Sequence, residues 1–247
     1  MKRKFLSLLT LLVATGSLAM AQTSTFKTDF KEQRNVATFT TEAPLEDIVG
    51  TTRMVEATLM INPLNVSQNP KAMVKVDLSA LNSGIDLRDE HMKSEKFLNT
   101  AKHPYATFAL TGISGTSVLK DATKTNVKLT GDLTLHGVTK KISVPATLTY
   151  FKQNENTKSK LAGNLLKANA IFNIKMSDYG VEVPSMMLMK VSNDVKITLD
   201  YVATDDGANA AMNPCNPCNP CSVKKDMKSK NNPCAPPKNN PCAPKKQ

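Results

Sequence analysis

Residues 127–150 read VKLTGDLTLHGVTKKISVPATLTY, and apolar and polar side chains alternate along most of this stretch. Alternation with a period of two is typical of a β-strand that buries one face. The rhythm breaks at His136-Gly137 and then resumes, which predicts two long strands joined there by a turn or bulge. The apolar series is Val127, Leu129, Leu133 and Leu135 before the break, and Val138, Ile142, Val144, Ala146, Leu148 and Tyr150 after it.

The same rhythm predicts further strands on both sides of this hairpin. It occurs within residues 57–61, 72–78, 106–110, 170–176 and 195–201, and residues 25–30 and 36–40 are plausible first strands. Two segments interrupt it. The stretch from Pro44 to Val49 is interpreted as a helical turn, because Pro44 stands near its start and acidic residues follow. Residues 85–98 are interpreted as a short helical insert between strands.

About eight amphipathic strands with so few helices predict an all-β, antiparallel fold. Each strand has one apolar face that must be covered, and the helices are too few to cover it. Closing the sheet into an eight-stranded, lipocalin-like barrel solves this problem and removes exposed edges. A two-sheet sandwich is the alternative. An eight-stranded interior is either filled by side chains or holds one small apolar ligand, and residue composition is compatible with both.

The two ends of the chain differ from the middle. Residues 1–21 resemble a secretory signal: Lys2, Arg3 and Lys4 precede a short apolar run, and Ala19-Met20-Ala21 forms a small-x-small cleavage site. We therefore expect cleavage near Ala21 and a periplasmic or secreted protein. Residues 22–204 are expected to form the barrel domain. No apolar run of 18 or more residues follows the signal, so the protein is not expected to be integral to the membrane.

Residues 205–247 carry five repeats of Asn-Pro-Cys and no apolar periodicity, which predicts a disordered tail. All five cysteines of the chain lie here. The C-x-x-C-x-x-C spacing of Cys215, Cys218 and Cys221 suits soft metals such as Cu(I) or Zn. Disulfides are the other expected fate in an oxidising compartment. Because five is an odd number, one thiol is left over or pairs between chains, which would allow a homodimer.

The net charge of +11 does not indicate a nucleic-acid surface. The signal contributes +3 and the tail +4, so the middle of the chain is nearly balanced. Aromatic residues are few and there is no Trp, so a stacking surface for bases is absent from the sequence pattern. The sequence also lacks a nucleophile elbow, a phosphate loop and a His-Glu-x-x-His motif, which argues against an enzyme.

Charged residues cluster at 86–95, within the predicted insert. Neighbouring acids and His91 point in different directions on a helix, so they are not expected to converge on a metal. A structural role is favoured, in which Arg88 and Asp89 tie the insert to the barrel by charge-assisted hydrogen bonds.

Four stretches, in order along the chain, resemble the YceI-like family. They are SGIDLRDEHMKSEKFLNT with KHPYATF at 83–108, LTGDLTLHGVTK at 129–140, FNI followed by SDYG at 172–180, and VSNDV at 191–195. The resemblance covers residues 25–204 and not the tail. It implies an exported, lipocalin-like barrel that is not an enzyme and binds a long polyisoprenoid, isoprenoid quinone or fatty-acyl lipid.

This resemblance favours a cavity over a filled core, and the strand alternation gives the side chains that would line it. No cofactor other than such a lipid is expected, and no nucleic-acid partner. We expect the bound lipid to contact Val76, Leu78, Phe108, Leu110, Leu129, Leu133, Leu135, Ile142, Val144, Phe172 and Ile174.

Overall fold

The structure, a computed structural model, describes residues 23–28 and 33–206, and most of their regular structure is β-strand. Besides the strands there are two short helices, α1 (Asp86–Lys93) and α2 (Glu155–Lys158), and two 3₁₀ turns, Met176–Tyr179 and Ser185–Met187. The strands are β1 (Ser24–Thr28), β2 (Val36–Glu42), β3 (Asp47–Thr52), β4 (Val55–Ile61), β5 (Lys71–Asp77), β6 (Tyr105–Ser114), β7 (Lys124–Leu135), β8 (Val138–Phe151), β9 (Leu165–Lys175) and β10 (Asp194–Thr204).

The strands close into an antiparallel barrel. From β4 to β10 each strand pairs with the next along the chain. β1 pairs with β4 and, through Lys27 opposite Thr204, also with β10. β2 pairs with β10 and with β3. β1 and β2 thus follow one another as two segments of a single strand of the barrel, and β3 and β4 do the same. Counted in this way, eight strands close the barrel, which confirms the predicted fold.

The interpretation of Pro44 to Val49 as a helical turn is wrong. Asp47 already belongs to β3, and Ile48 and Gly50 lie opposite Thr41 and Phe39 of β2. Pairing with β2 satisfies the backbone of this segment, and alternate residues of β3 are buried, so the tertiary context overrides the local helical signals. Pro44 lies in the tight turn between the strands, where its missing N–H is harmless.

The predicted hairpin of β7 and β8 is confirmed over its whole length, from Leu135 opposite Val138 to Lys124 opposite Thr149. His136 and Gly137 form a two-residue turn in which both φ angles are positive, 52° and 79°. Positive φ at both positions is the signature of a type I′ turn, whose twist matches that of the flanking strands. His136 Nδ1 also lies 3.1 Å from the carbonyl oxygen of Tyr179, which holds the turn to the β9–β10 connection.

The two ends of the barrel are built differently. Because antiparallel strands alternate in direction, the β4–β5, β6–β7 and β8–β9 connections share one end. Fully or nearly fully buried side chains plug this closed end: Phe26, Val66, Leu119, Tyr150 and Leu166. The rings of Phe26 and Tyr150 meet edge to face at 6.2 Å. The β2–β3, β5–β6, β7–β8 and β9–β10 connections share the opposite end.

The predicted helical insert at 85–98 is helical only in its first part. α1 ends at Lys93, and residues 94–104 run through successive turns to β6. The barrel contacts extend slightly past the expected boundary at residue 204, because the Asp205 carboxylate accepts hydrogen bonds from the backbone and side chain of Asn164. The expected signal peptide and the rest of the expected tail lie outside the described residues.

Candidate functional site

A predominantly apolar cavity opens at the end of the barrel away from the closed end and extends inward to Ala168 of β9 and Tyr201 of β10. Its volume is about 520 Å³, within the range of roughly 300–1,000 Å³ that is usual for small-molecule sites. Inward side chains of β2, β3 and β5 to β10 form its wall. Residues of α1 and of the β9–β10 connection surround its opening, which is called the mouth below.

The structure places nine of the eleven expected lipid contacts on the cavity wall. They are Val76, Leu78, Phe108, Leu129, Leu133, Leu135, Val144, Phe172 and Ile174.

Leu110 and Ile142 are not on the cavity wall and belong to the packed core. Both flank Gly131, opposite it on the two neighbouring strands. A Cβ built on Gly131 would lie only 2.5 Å from Cζ of Phe108. The missing side chain of Gly131 therefore leaves room for the Phe108 ring. At this level of the barrel the Phe108 ring lines the cavity, whereas Leu110 and Ile142 do not.

A second pair of a glycine and a phenylalanine ring lies on the other side of the cavity. The Phe39 ring occupies the space where a side chain on Gly50 would stand, and Phe39 lines the cavity. Two strands of the wall thus use a glycine to let a phenylalanine of the adjacent strand lie flat against the sheet. The sequence interpretation missed Phe39, because the strand pairing that brings it to Gly50 is not visible in the sequence.

Small side chains make the inner part of the cavity wide. Ala146 of β8 and Ala168 and Ala170 of β9 line it there, beside Tyr201 of β10. Alternation along β8, β9 and β10 already places Ala146, Ala170 and Tyr201 on the inward face. That signal was available, but it does not distinguish a residue that borders a cavity from one that fills a core.

Arg88 links two of the segments that border the mouth. Arg88 of α1 donates from Nη1 to Glu46 Oε1 at 2.7 Å, and from Nε and Nη2 to the side chain and carbonyl of Ser83. Asp89 is buried and accepts hydrogen bonds from the backbone and hydroxyl of Ser83. Arg88 therefore joins the insert to the β2–β3 turn, as expected from the sequence. Asp89 was expected to tie the insert to the barrel as well, but its hydrogen bonds are local, to Ser83 just before α1.

Apolar side chains are exposed around the mouth. Six large apolar residues among those described are at least half exposed, and five of them belong to segments at the mouth. These five are Leu45, Ile85, Leu87, Met186 and Met189; the sixth, Leu64, lies at the closed end. Ile85 and Leu87 also line the cavity, so apolar surface continues from the wall to the outside. A backbone hydrogen bond from Leu45 to Met189 connects the two sides of this surface.

Two further features were looked for in the described part of the chain, a metal site and a membrane-spanning helix. Within residues 23–28 and 33–206, no three His, Cys, Asp or Glu residues are grouped so that they could hold a metal ion. None of the helices described there has the length and hydropathy needed to cross a membrane.

Comparison with known proteins places this geometry in a family. The sequence model for the YceI-like domain matches residues 22–203. The chain belongs to the YceI-like family.

Curated relatives include proteins of several bacteria. Protein YceI of Escherichia coli O6:H1 is 37% identical over 101 residues, which are 41% of this chain and 49% of that protein. Protein YceI of Salmonella newport is 32% identical over 151 residues, 60% of this chain and 73% of that protein. The alignment thus spans about half the length of the Escherichia coli relative.

Solved structures share the fold of this chain at low identity. Burkholderia cenocepacia BcnA superimposes with a TM-score of 0.57 at 18% identity, covering 71% of this chain and 100% of its own. A polyisoprenoid binding domain from Saccharophagus degradans, implicated in plant cell wall breakdown, has a TM-score of 0.54 at 16% identity. That match covers 74% of this chain and 99% of the domain. These likenesses establish the YceI-like barrel as the common architecture.

Proposed function

We propose that this YceI-like protein is an exported, non-enzymatic binding protein that holds a polyisoprenoid or another long-chain amphipathic lipid in its barrel, for transport, storage or sequestration. The observation that carries the proposal is the apolar cavity of about 520 Å³, open at one end and plugged at the other. The description of the Saccharophagus degradans domain as polyisoprenoid binding supports the same class of ligand.

Burial of hydrocarbon supplies the driving force. Each CH₂ group removed from water contributes about 0.8 kcal/mol, so a chain of ten such groups would gain roughly 8 kcal/mol before the cost of association. The exposed apolar residues at the mouth suit a protein that takes a lipid from an apolar phase, because the chain stays in contact with apolar surface as it enters. Export is proposed from the basic start, short apolar run and small-x-small site of residues 1–21.

Organic extraction of the purified protein, followed by mass spectrometry, tests this function. We expect one long-chain lipid per protein, or saturable uptake of added prenyl lipids by protein that has been stripped of lipid. A protein that neither carries nor takes up any apolar chain would refute the carrier function.

The Asn-Pro-Cys repeats favour a second candidate function, a metal or oxidant buffer built from tail thiols on a structural barrel. The C-x-x-C-x-x-C spacing of Cys215, Cys218 and Cys221 supports it. Titration of Cu(I) or Zn into the reduced full chain, and into a variant with these three cysteines changed to serine, tests it. Equal binding by both proteins would exclude these three thiols as the metal site.

A further inference from the structure

Tyr201 brings a hydroxyl group to the inner part of a predominantly apolar cavity. It lies on β10 opposite Ala168 of β9, and both residues line the cavity. Val195, near the mouth end of the same strand, is six residues away. At about 3.3 Å per residue, this separation places Tyr201 roughly 20 Å further along the strand, towards the closed end.

The hydroxyl of Tyr201 has no hydrogen-bond partner among the described residues, although only 4% of the side chain is exposed. Every fully enclosed side-chain nitrogen or oxygen atom in the described residues does have a partner. The Tyr201 hydroxyl is therefore not fully enclosed, and because the residue lines the cavity, we infer that the hydroxyl faces it. Ala146 of β8 and Ala168 and Ala170 of β9, whose side chains cannot form hydrogen bonds, also line the cavity.

Filling this part of the cavity with hydrocarbon alone would leave the Tyr201 hydroxyl without a hydrogen bond. Leaving a buried polar group unpaired in this way costs about 1–3 kcal/mol. Burial raises the pKa of Tyr201 well above its usual value, so the phenol keeps its proton at physiological pH and remains a donor. A ligand that carries an acceptor at this depth would supply the missing bond.

We propose that the Tyr201 hydroxyl donates a hydrogen bond to an acceptor oxygen of the bound lipid, such as the carbonyl of a ketone, quinone, ester or amide. The proposal rests on the lipid-binding function proposed above and adds the orientation of the ligand to it. The lipid enters with its oxygen-bearing end first, and its hydrocarbon chain runs back towards the mouth.

The surface at the mouth agrees with this orientation. The exposed aliphatic side chains of Ile85, Leu87 and Met186 give an outgoing hydrocarbon chain apolar contacts where it leaves the barrel. Three of the five N–H donors of Arg88, at the mouth, already bond to Glu46 and Ser83.

The test compares two probes that differ only in the acceptor. One is geranylgeranylacetone, an isoprenoid methyl ketone labelled with ¹³C at the carbonyl; the other is the corresponding hydrocarbon without the oxygen. Affinities are measured for the wild-type protein, for Tyr201→Phe and for Tyr150→Phe. Tyr150 is a matched control because it is also a buried tyrosine but packs at the closed end, away from the cavity wall.

We expect Tyr201→Phe to weaken binding of the ketone by about tenfold or more, because the carbonyl loses its partner inside the barrel. Binding of the hydrocarbon should change by less than about twofold, since its apolar contacts are kept. The infrared band of the labelled carbonyl should lie at lower frequency in the wild-type complex than in the Tyr201→Phe complex. Tyr150→Phe should leave both affinities and the band unchanged.

Equal effects of Tyr201→Phe on both probes, or an unshifted carbonyl band, would overturn the role of Tyr201 while leaving the carrier function in place. Failure of the wild-type protein to bind either probe would overturn the carrier function, and the role of Tyr201 with it.

Discussion

Arg88 Nη1 lies 2.7 Å from Glu46 Oε1, and this ion pair links α1 to the β2–β3 turn across the mouth of the cavity. Both side chains are partly exposed, Arg88 less than Glu46. The pair joins two segments that are 42 residues apart in the chain and that both border the opening. We therefore expect this ion pair to affect how fast a ligand passes through the mouth.

Replacing Glu46 with glutamine should speed ligand release. The substitution removes the charge that attracts Arg88 and leaves at most a neutral hydrogen bond, so the link between the insert and the β2–β3 turn weakens. A partly exposed ion pair contributes about 0.2–1 kcal/mol, so the free energy of unfolding should fall by no more than that. Stopped-flow displacement of a fluorescent prenyl lipid would measure the release rate.

Asp132→Asn is the matched control for this substitution, because it breaks an ion pair with Lys141 on the barrel wall between β7 and β8. An identical release rate for Glu46→Gln and wild type would show that the tether does not limit exchange.

Filling the inner cavity should lower the affinity for long-chain ligands without unfolding the barrel. In Ala170→Phe the new ring enters existing space, so we expect the melting temperature to stay the same or rise. Excluding even two CH₂ groups of the ligand costs about 1.6 kcal/mol, which is about a fifteenfold loss of affinity. Affinity for prenyl alcohols of increasing length would measure the effect.

The control for this substitution is Ile171→Phe, at the next position on β9, where the side chain is 46% exposed on the outer face. If both variants bind long chains as the wild type does, the ligand does not occupy the inner cavity.

Leucines of the closed end and of the cavity wall should differ in their contribution to stability. Leu166 is completely buried in the core, whereas Leu133 borders the cavity on one side. Truncating a fully packed leucine to alanine costs about 2–5 kcal/mol. A leucine that faces a void has fewer contacts to lose, so Leu133→Ala should cost about 1–2 kcal/mol in the ligand-free protein. Urea unfolding measures both values, and an equal or larger cost at Leu133 would contradict the assignment of the cavity.

A side chain at the second position of the turn between β7 and β8 should lower the stability of the barrel. Gly137 has a φ of 79°, and an added Cβ would lie 2.7 Å from Cε1 of His103. Gly137→Ala should therefore lower the free energy of unfolding by about 1–2 kcal/mol. Gly112→Ala is the control, because an added Cβ there meets nothing within 4 Å, and its effect should be within about 0.5 kcal/mol. Equal stability of the two variants would contradict the type I′ turn.

Much of the fold could be read from local patterns. The alternation in residues 127–150 predicts two strands and their inward faces, and His136-Gly137 marks the turn, because period-two burial and positive φ leave direct traces in the sequence. The Pro44 to Val49 segment shows the opposite case. Its proline and acidic residues resemble a helix start, and only the pairing of Ile48 and Gly50 with β2 makes it a strand.

The sequence by itself determined that this chain forms amphipathic strands with apolar residues on one face, since the period of hydrophobicity fixes which side chains share a face. The tertiary structure alone decided which inward residues border empty space. Leu110 and Leu129 follow the same alternation, yet Leu110 is packed in the core and Leu129 lines the cavity. That difference depends on how the Phe108 ring lies over Gly131 and on where alanines of neighbouring strands meet, and both are set by the register between strands.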